Sequence, residues 1–149
     1  MPYETVRDIL ERIKAFHRRL SDYYQQSKSA AANERVALLL DYMGRHERLI
    51  DRCVAKYEKQ GSHTVLDTWI QYIPDLSLRE AFEEARLEPD MPVEEVFAQA
   101  MKLDSVLLAF YEQLASYSAA PKLQELFEDL LAMEKTKETE YARSLLRAQ

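Results

Sequence analysis

An all-α fold follows from three features of the chain. Only 2 glycines and 5 prolines occur among 149 residues. The bulk is Ala, Leu, Glu, Arg, Lys and Gln, the residues that lose least on entering a helix. Four long segments carry apolar residues at alternating steps of three and four, the mark of one buried helical face. Two of the connections between these segments are short enough to force antiparallel hairpins. The expected architecture is a single domain over residues 1–149 that buries roughly two-thirds of its unfolded surface. It is an antiparallel four-helix bundle of two hairpins, 3–59 and 92–147, joined by a long helical crossover, 60–91, in up-down-down-up order.

The first segment runs Val6, Leu10, Ile13, His17, Leu20, Tyr24 and the second Val36, Leu40, Met43, Glu47, Ile50, Val54, Tyr57. "SKSAAANE" joins them. The third segment, with Pro92 suited to its first turn, runs Val93, Phe97, Ala100, Asp104, Leu107, Tyr111, Leu114. After "SYSAAPK" the fourth opens at Pro121 and runs Leu123, Phe127, Leu130, Glu134, Lys137, Tyr141, Leu145. Each row is apolar except near its middle, where an ionisable residue stands.

Between the hairpins, Val65, Leu66, Trp69, Ile70, Tyr72, Ile73, Leu76 and Leu78 are too apolar to remain in water. The crossover is therefore expected to hold a short helix ending before Pro74. A second helix should open at the capping box Ser77 to Glu80, and both should pack across the bundle with Trp69 against it.

Charge and composition exclude several functions. The net charge is −6, with 20 basic and 26 acidic residues interspersed, so no basic face tracks a phosphate backbone and nucleic acid is not an expected partner. "MPYETVRDILERIKAF" lacks the apolar run of a signal peptide or a membrane span, and the expectation is a soluble, cytoplasmic protein with no membrane partner. The single cysteine, Cys53, permits no internal disulfide and reads as a small buried hydrophobe. With 2 glycines, a nucleotide-binding loop is excluded, and no Ser-His-Asp order or Cys-x-x-Cys motif occurs.

Shifting the second half onto the first by 87 positions aligns the hairpins without a gap, placing Leu20 on Leu107, Tyr24 on Tyr111, Leu39 on Leu126 and Glu47 on Glu134. With "FHRRLSDYY" and "LLLDYMGRHERLI" in the first hairpin and "LDSVLLAFYEQLA" and "LFEDLLAMEKTK" in the second, the chain resembles the rubrerythrin-type branch of the ferritin-like superfamily. In that branch each hairpin carries a Glu seven residues before a Tyr, then Glu-x-x-His. The resemblance covers both hairpins and implies a dinuclear iron centre. Carried over by position, Glu47 and Glu134 match the glutamates of the two Glu-x-x-His motifs. Asp104 and His17 stand where Glu is expected, and Ile50 and Lys137 stand where the histidines should be.

Three carboxylates inside one bundle demand positive charge. The expected outcome is a ferritin-like protein of non-catalytic or vestigial role, without cofactor, whose di-iron site is replaced by a charge network of His17, Glu47, Asp104, Glu134 and Lys137. The alternative is an iron-, manganese- or zinc-binding oxidoreductase or storage protein using His17, Glu47, Asp104 and Glu134 as ligands, with Tyr24 and Tyr111 hydrogen-bonding around them. A third reading is a helical module, or a homodimer, binding a protein partner near Trp69 and Tyr72. For single residues, Met43, Met101, Met133, Tyr24 and Tyr111 read as packing residues. His46 is expected to be exposed, because it points about 100° away from Glu47. His63 has no expected role.

Overall fold

The computed structural model describes residues 4–75 and 78–148, and these form an all-α architecture with one small strand pairing. Two residues, Glu4–Thr5 (β1), lead into α1 (Val6–Ala30). A reciprocal capping box starts this helix. Thr5 Oγ1 accepts from the Asp8 backbone N–H at 3.2 Å, and Asp8 accepts from the Thr5 N–H at 3.0 Å. After 31–33 the chain reverses into α2 (Glu34–Gln60), capped by the Asn33 side chain, which accepts from the Arg35 N–H at 2.8 Å. Much of the expected "SKSAAANE" loop is thus helical, because Lys28 stays in register to reach Asp41 at 2.9 Å.

Gly61 closes α2, and one turn follows as α3 (His63–Leu66). The expected helix does not continue toward Pro74. The chain extends instead as β2 (Trp69–Ile70), pairing antiparallel with β1, Glu4 opposite Ile70 and Thr5 opposite Trp69. Strand alternation decides the fate of Trp69. Ile70 turns inward, and Trp69 stands 62% exposed, against the expectation that it packs on the core.

The second crossover helix is α4 (Leu78–Glu84). Its expected capping box includes Ser77, which lies outside the described residues, as does Leu76. Phe82 of α4 stands edge-on to Tyr23 at 5.1 Å and lies 6.3 Å from Phe16, so α4 crosses α1. The Tyr23 hydroxyl donates to the Ala85 carbonyl oxygen and accepts from the Leu87 N–H, each at 3.1 Å, which pins the exit of α4. The chain then forms α5 (Val93–Tyr117) and, after 118–120, α6 (Pro121–Ala148).

Side-chain register gives the helix directions. Ser21 donates to the Gly44 carbonyl oxygen at 2.8 Å while Lys14 meets Glu58 at 2.8 Å, so α1 and α2 are antiparallel. Lys137 contacts Glu47 while Tyr141 reaches the Met43 carbonyl oxygen, so α6 also runs antiparallel to α2. Lys137 beside Asp104 and Tyr111 beside Glu134 make α5 antiparallel to α6.

The rows predicted from spacing are buried along α1 and, through Tyr141, along α6. Row two ends at Val54. Tyr57 is 39% exposed because α2 there runs past the core. In α5 the inward face is broader than the predicted row. Val96, Leu103 and Phe110 are buried and Phe97 only half so. Cys53 is exposed, contrary to expectation, because its step of about 100° from inward-facing Val54 turns it to solvent. Among the described residues no helix is long and apolar enough to cross a membrane.

The capping box yields a stability prediction. Thr5→Ala removes the acceptor for the Asp8 N–H and should cost about 1 kcal/mol in urea unfolding, with Thr5→Ser recovering most of it.

Candidate functional site

Each of the four long helices places an ionisable side chain at the same depth. His17 comes from α1, Glu47 from α2, Asp104 from α5, and Glu134 and Lys137 from α6, and all five are 0% exposed. On α6 the step from Glu134 to Lys137 is three residues, so one face presents both charges. Above and below lie Leu20, Met43, Leu107 and Leu130, which keep water away from the cluster.

Two cations organise the geometry. Lys137 Nζ lies 2.6 Å from Glu134 Oε2, 2.8 Å from Asp104 Oδ1 and 3.0 Å from Glu47 Oε2. Only its 3.2 Å contact to Glu47 Oε1 is an aligned hydrogen bond, and the others are close ion pairs. His17 bridges the two glutamates, with Nδ1 2.6 Å from Glu47 Oε1 and Nε2 2.9 Å from Glu134 Oε1. The Nδ1 contact is the aligned one.

The surrounding hydroxyls complete part of the shell. Tyr141 donates to Glu47 Oε2, with the Met43 carbonyl oxygen 3.1 Å away. Tyr111 donates to Glu134 Oε1 over 3.4 Å. Tyr24 is equally buried, but its hydroxyl finds no hydrogen-bond partner, so it does not play the same part. The sequence places Tyr141 in the fourth row and gives it no polar role. Its signal lay in its position four residues after Lys137 on the same face. His46 is half-buried between Tyr42 and Tyr141, 5.8 and 5.6 Å away between rings, which corrects the expectation of exposure.

Protonation follows from this arrangement. Burial opposes the charged form of His17, but Glu134 and Glu47 outweigh it and raise its pKa from 6.5 to about 9. Burial likewise opposes the Lys137 ammonium, and the three carboxylates override it, holding the pKa well above its ordinary value. Glu134, despite burial, is brought from 4.5 down to about 2 by Lys137 and His17, and Glu47 is lowered by the same pair. Asp104 goes the other way, because burial dominates and raises it from 3.8 to about 7. At weakly acidic pH, His17 and Lys137 carry the positive charges, Glu47 and Glu134 the negative ones, and Asp104 a proton. The cluster is then neutral.

A metal ion does not fit these side chains. The ammonium of Lys137 stands within 3.0 Å of all three carboxylates, at the point a cation would occupy. Both nitrogens of His17 face carboxylates, so neither offers a lone pair outward. Ile50 supplies no donor. Among the described residues, no group of three or more His, Cys, Asp or Glu side chains is arranged to hold a metal. Comparison with protein-family models, curated proteins and solved structures returned no match.

The shifts predict a stability optimum on the acid side of neutrality. His17 contributes stability that is full below its unfolded pKa of 6.5 and is lost as pH rises toward about 9. Asp104 binds its proton more tightly when folded, so its term also falls as pH rises from 3.8 to about 7. The Glu134 term is present above 4.5 and is lost as pH falls toward about 2. Thermal unfolding should therefore give a higher midpoint near about pH 5.5 than near about pH 9, and His17→Gln should flatten the alkaline limb.

Proposed function

We propose that this chain is a ferritin-like four-helix bundle of non-catalytic role, in which a tethered ammonium and a bridging imidazolium replace the dinuclear metal centre. The observation that carries this reading is Lys137 Nζ, which contacts carboxylates from three helices at 2.6 to 3.0 Å in a fully buried site. The helix directions support it, since α1 and α6 run one way and α2 and α5 the other, the up-down-down-up order of two hairpins joined by a crossover. The offset of 87 positions, which superposes Glu47 on Glu134, supports it as well. A positive charge at the centre preserves the reason for carboxylates to meet there after metal ligands are lost. The bundle then serves as a binding or scaffolding body.

Elemental analysis of untagged protein, before and after incubation with Fe(II) or Mn(II), tests the proposal. The expected result is far less than one metal per chain. Stoichiometric iron, manganese or zinc retained on purification would overturn it in favour of a metal-dependent oxidoreductase or storage protein built on His17, Glu47, Asp104 and Glu134. Glu47→Ala should destabilise the fold by about 3–5 kcal/mol, because it leaves two buried cations, His17 and Lys137, sharing Glu134 as their ionised partner. Chemical denaturation measures this directly.

One observation favours a second reading, a module that binds a protein partner through the crossover. Trp69, Tyr72 and Tyr117 are 62%, 50% and 63% exposed, and the last two rings lie 4.5 Å apart. Trp69→Ala together with Tyr72→Ala should leave thermal stability unchanged and abolish any self-association seen by light scattering. A monomer at all concentrations removes the homodimer form of this reading.

A further inference from the structure

We propose that the groove between α1 and α2 is a binding site for a phosphoryl group, held by Arg18, Arg48 and Arg52. The site lies on the outer surface of the first hairpin, uses no residue of the buried cluster and does not rest on the ferritin-like reading. Arg18, Asp22, Arg48, Asp51 and Arg52 line a cavity there of about 270 Å³. Three guanidinium groups against two carboxylates leave it positive in a chain whose net charge is −6.

Two of the guanidinium forks are fixed by their inner nitrogens. Arg18 Nε donates to Asp51 Oδ2 at 3.0 Å, and Arg48 Nε donates to Ser21 Oγ at 2.9 Å. Ser21 in turn donates to the Gly44 carbonyl oxygen at 2.8 Å, so the anchor of Arg48 is itself tied to α2. Both arginines therefore keep their terminal nitrogens for a ligand, and part of the ordering that binding requires is already in place. Arg48 Nη2 reaches Asp22 only at 3.8 Å, with both side chains more than half exposed, a pair worth little in water. Arg52 makes no ion pair or hydrogen bond among the described residues.

The sequence of α2 makes the same demand. Arg45, Arg48, Arg52 and Lys56 follow at steps of three, four and four, so each cation stands beside the next along one side of the helix. Like charges at such steps weaken a helix. Between Tyr42 and Tyr57 the only carboxylates are Glu47, which is buried in the cluster, and Asp51, which is held by Arg18. Asp41, one turn earlier, answers Arg45 at 2.8 Å and leaves the later cations unmatched. A bound anion relieves that repulsion. One fork satisfies a carboxylate, whereas a phosphoryl group presents three acceptor oxygens and roughly two negative charges to forks arriving from two helices.

Isothermal titration calorimetry of the full chain with inorganic phosphate, at an ionic strength held constant with chloride, reads the site. The expected result is a saturable heat. Arg52→Gln should weaken binding about tenfold, the loss of one charge-assisted contact, and Arg52→Lys less, because the charge stays while the fork is lost. Both variants should keep at least the wild-type thermal midpoint, since Arg52 has no protein partner to lose. Arg79→Gln, at an exposed arginine of α4 paired with Glu83, should bind phosphate as the wild type does. Sedimentation with phosphatidylcholine vesicles separates two sources of the group, both of which uphold the site. Capture only when phosphatidic acid is included assigns a lipid headgroup, and no capture assigns a soluble phosphoester. A phosphate heat that does not saturate, or that survives Arg52→Gln and Arg48→Gln undiminished, overturns the proposal. So does vesicle capture without a phosphate heat.

Discussion

An ammonium ion cannot stand alone in an apolar interior, and Lys137 makes that demand at the centre of this protein. Its charge is met by carboxylates delivered from α2, α5 and α6, and His17 from α1 ties two of those carboxylates together. Every long helix therefore has one rotation and one axial position at which the charges close. Ion clusters of this kind add little net stability over a well-packed apolar core, because desolvation consumes most of the Coulombic gain. What they supply is a penalty for misregister, since a shift of one helical turn would strand a charge.

Around that constraint the remaining elements are arranged by simpler physics. Layers of Leu, Ile and Phe exclude water on both sides of the cluster and so strengthen every interaction within it. Contact with His17 then separates the carboxylates. Glu47 and Glu134 each face His17 as well as Lys137, while Asp104 faces Lys137 alone. The same burial thus leaves two carboxylates ionised and the third protonated near neutrality. The crossover contributes at the margin, where Tyr23 fastens the end of α4 and the short β1–β2 pairing fastens the start of α1.

The internal likeness of the two halves is kept in outline and broken at the centre. Positions 87 apart still share Leu20 with Leu107 and Tyr24 with Tyr111, and both halves supply a glutamate. Other pairs at this level differ, with His17 against Asp104, Ile50 against Lys137 and Val54 against Tyr141. One half supplies the ammonium and the hydroxyl that faces Glu47, and the other supplies the imidazole. With Asp104 protonated each half balances its own charge, and the contacts His17–Glu134 and Lys137–Glu47 tie the two halves together.

The helices were legible in the chain because an apolar residue every three or four positions has few other structural meanings, and the ionisable interruptions of those rows identified the five cluster residues. Linear order alone set the hairpins, the all-α class and the chemistry available at the centre. It could not set what depends on partners distant in the chain. Trp69 turned outward because β2 found β1, Tyr141 gained a polar role because Met43 and Glu47 came beside it, and His46 was covered by Tyr42 and Tyr141. Which carboxyl group keeps its proton was likewise a tertiary outcome, since Glu47, Asp104 and Glu134 differ in their neighbours far more than in their intrinsic acidity.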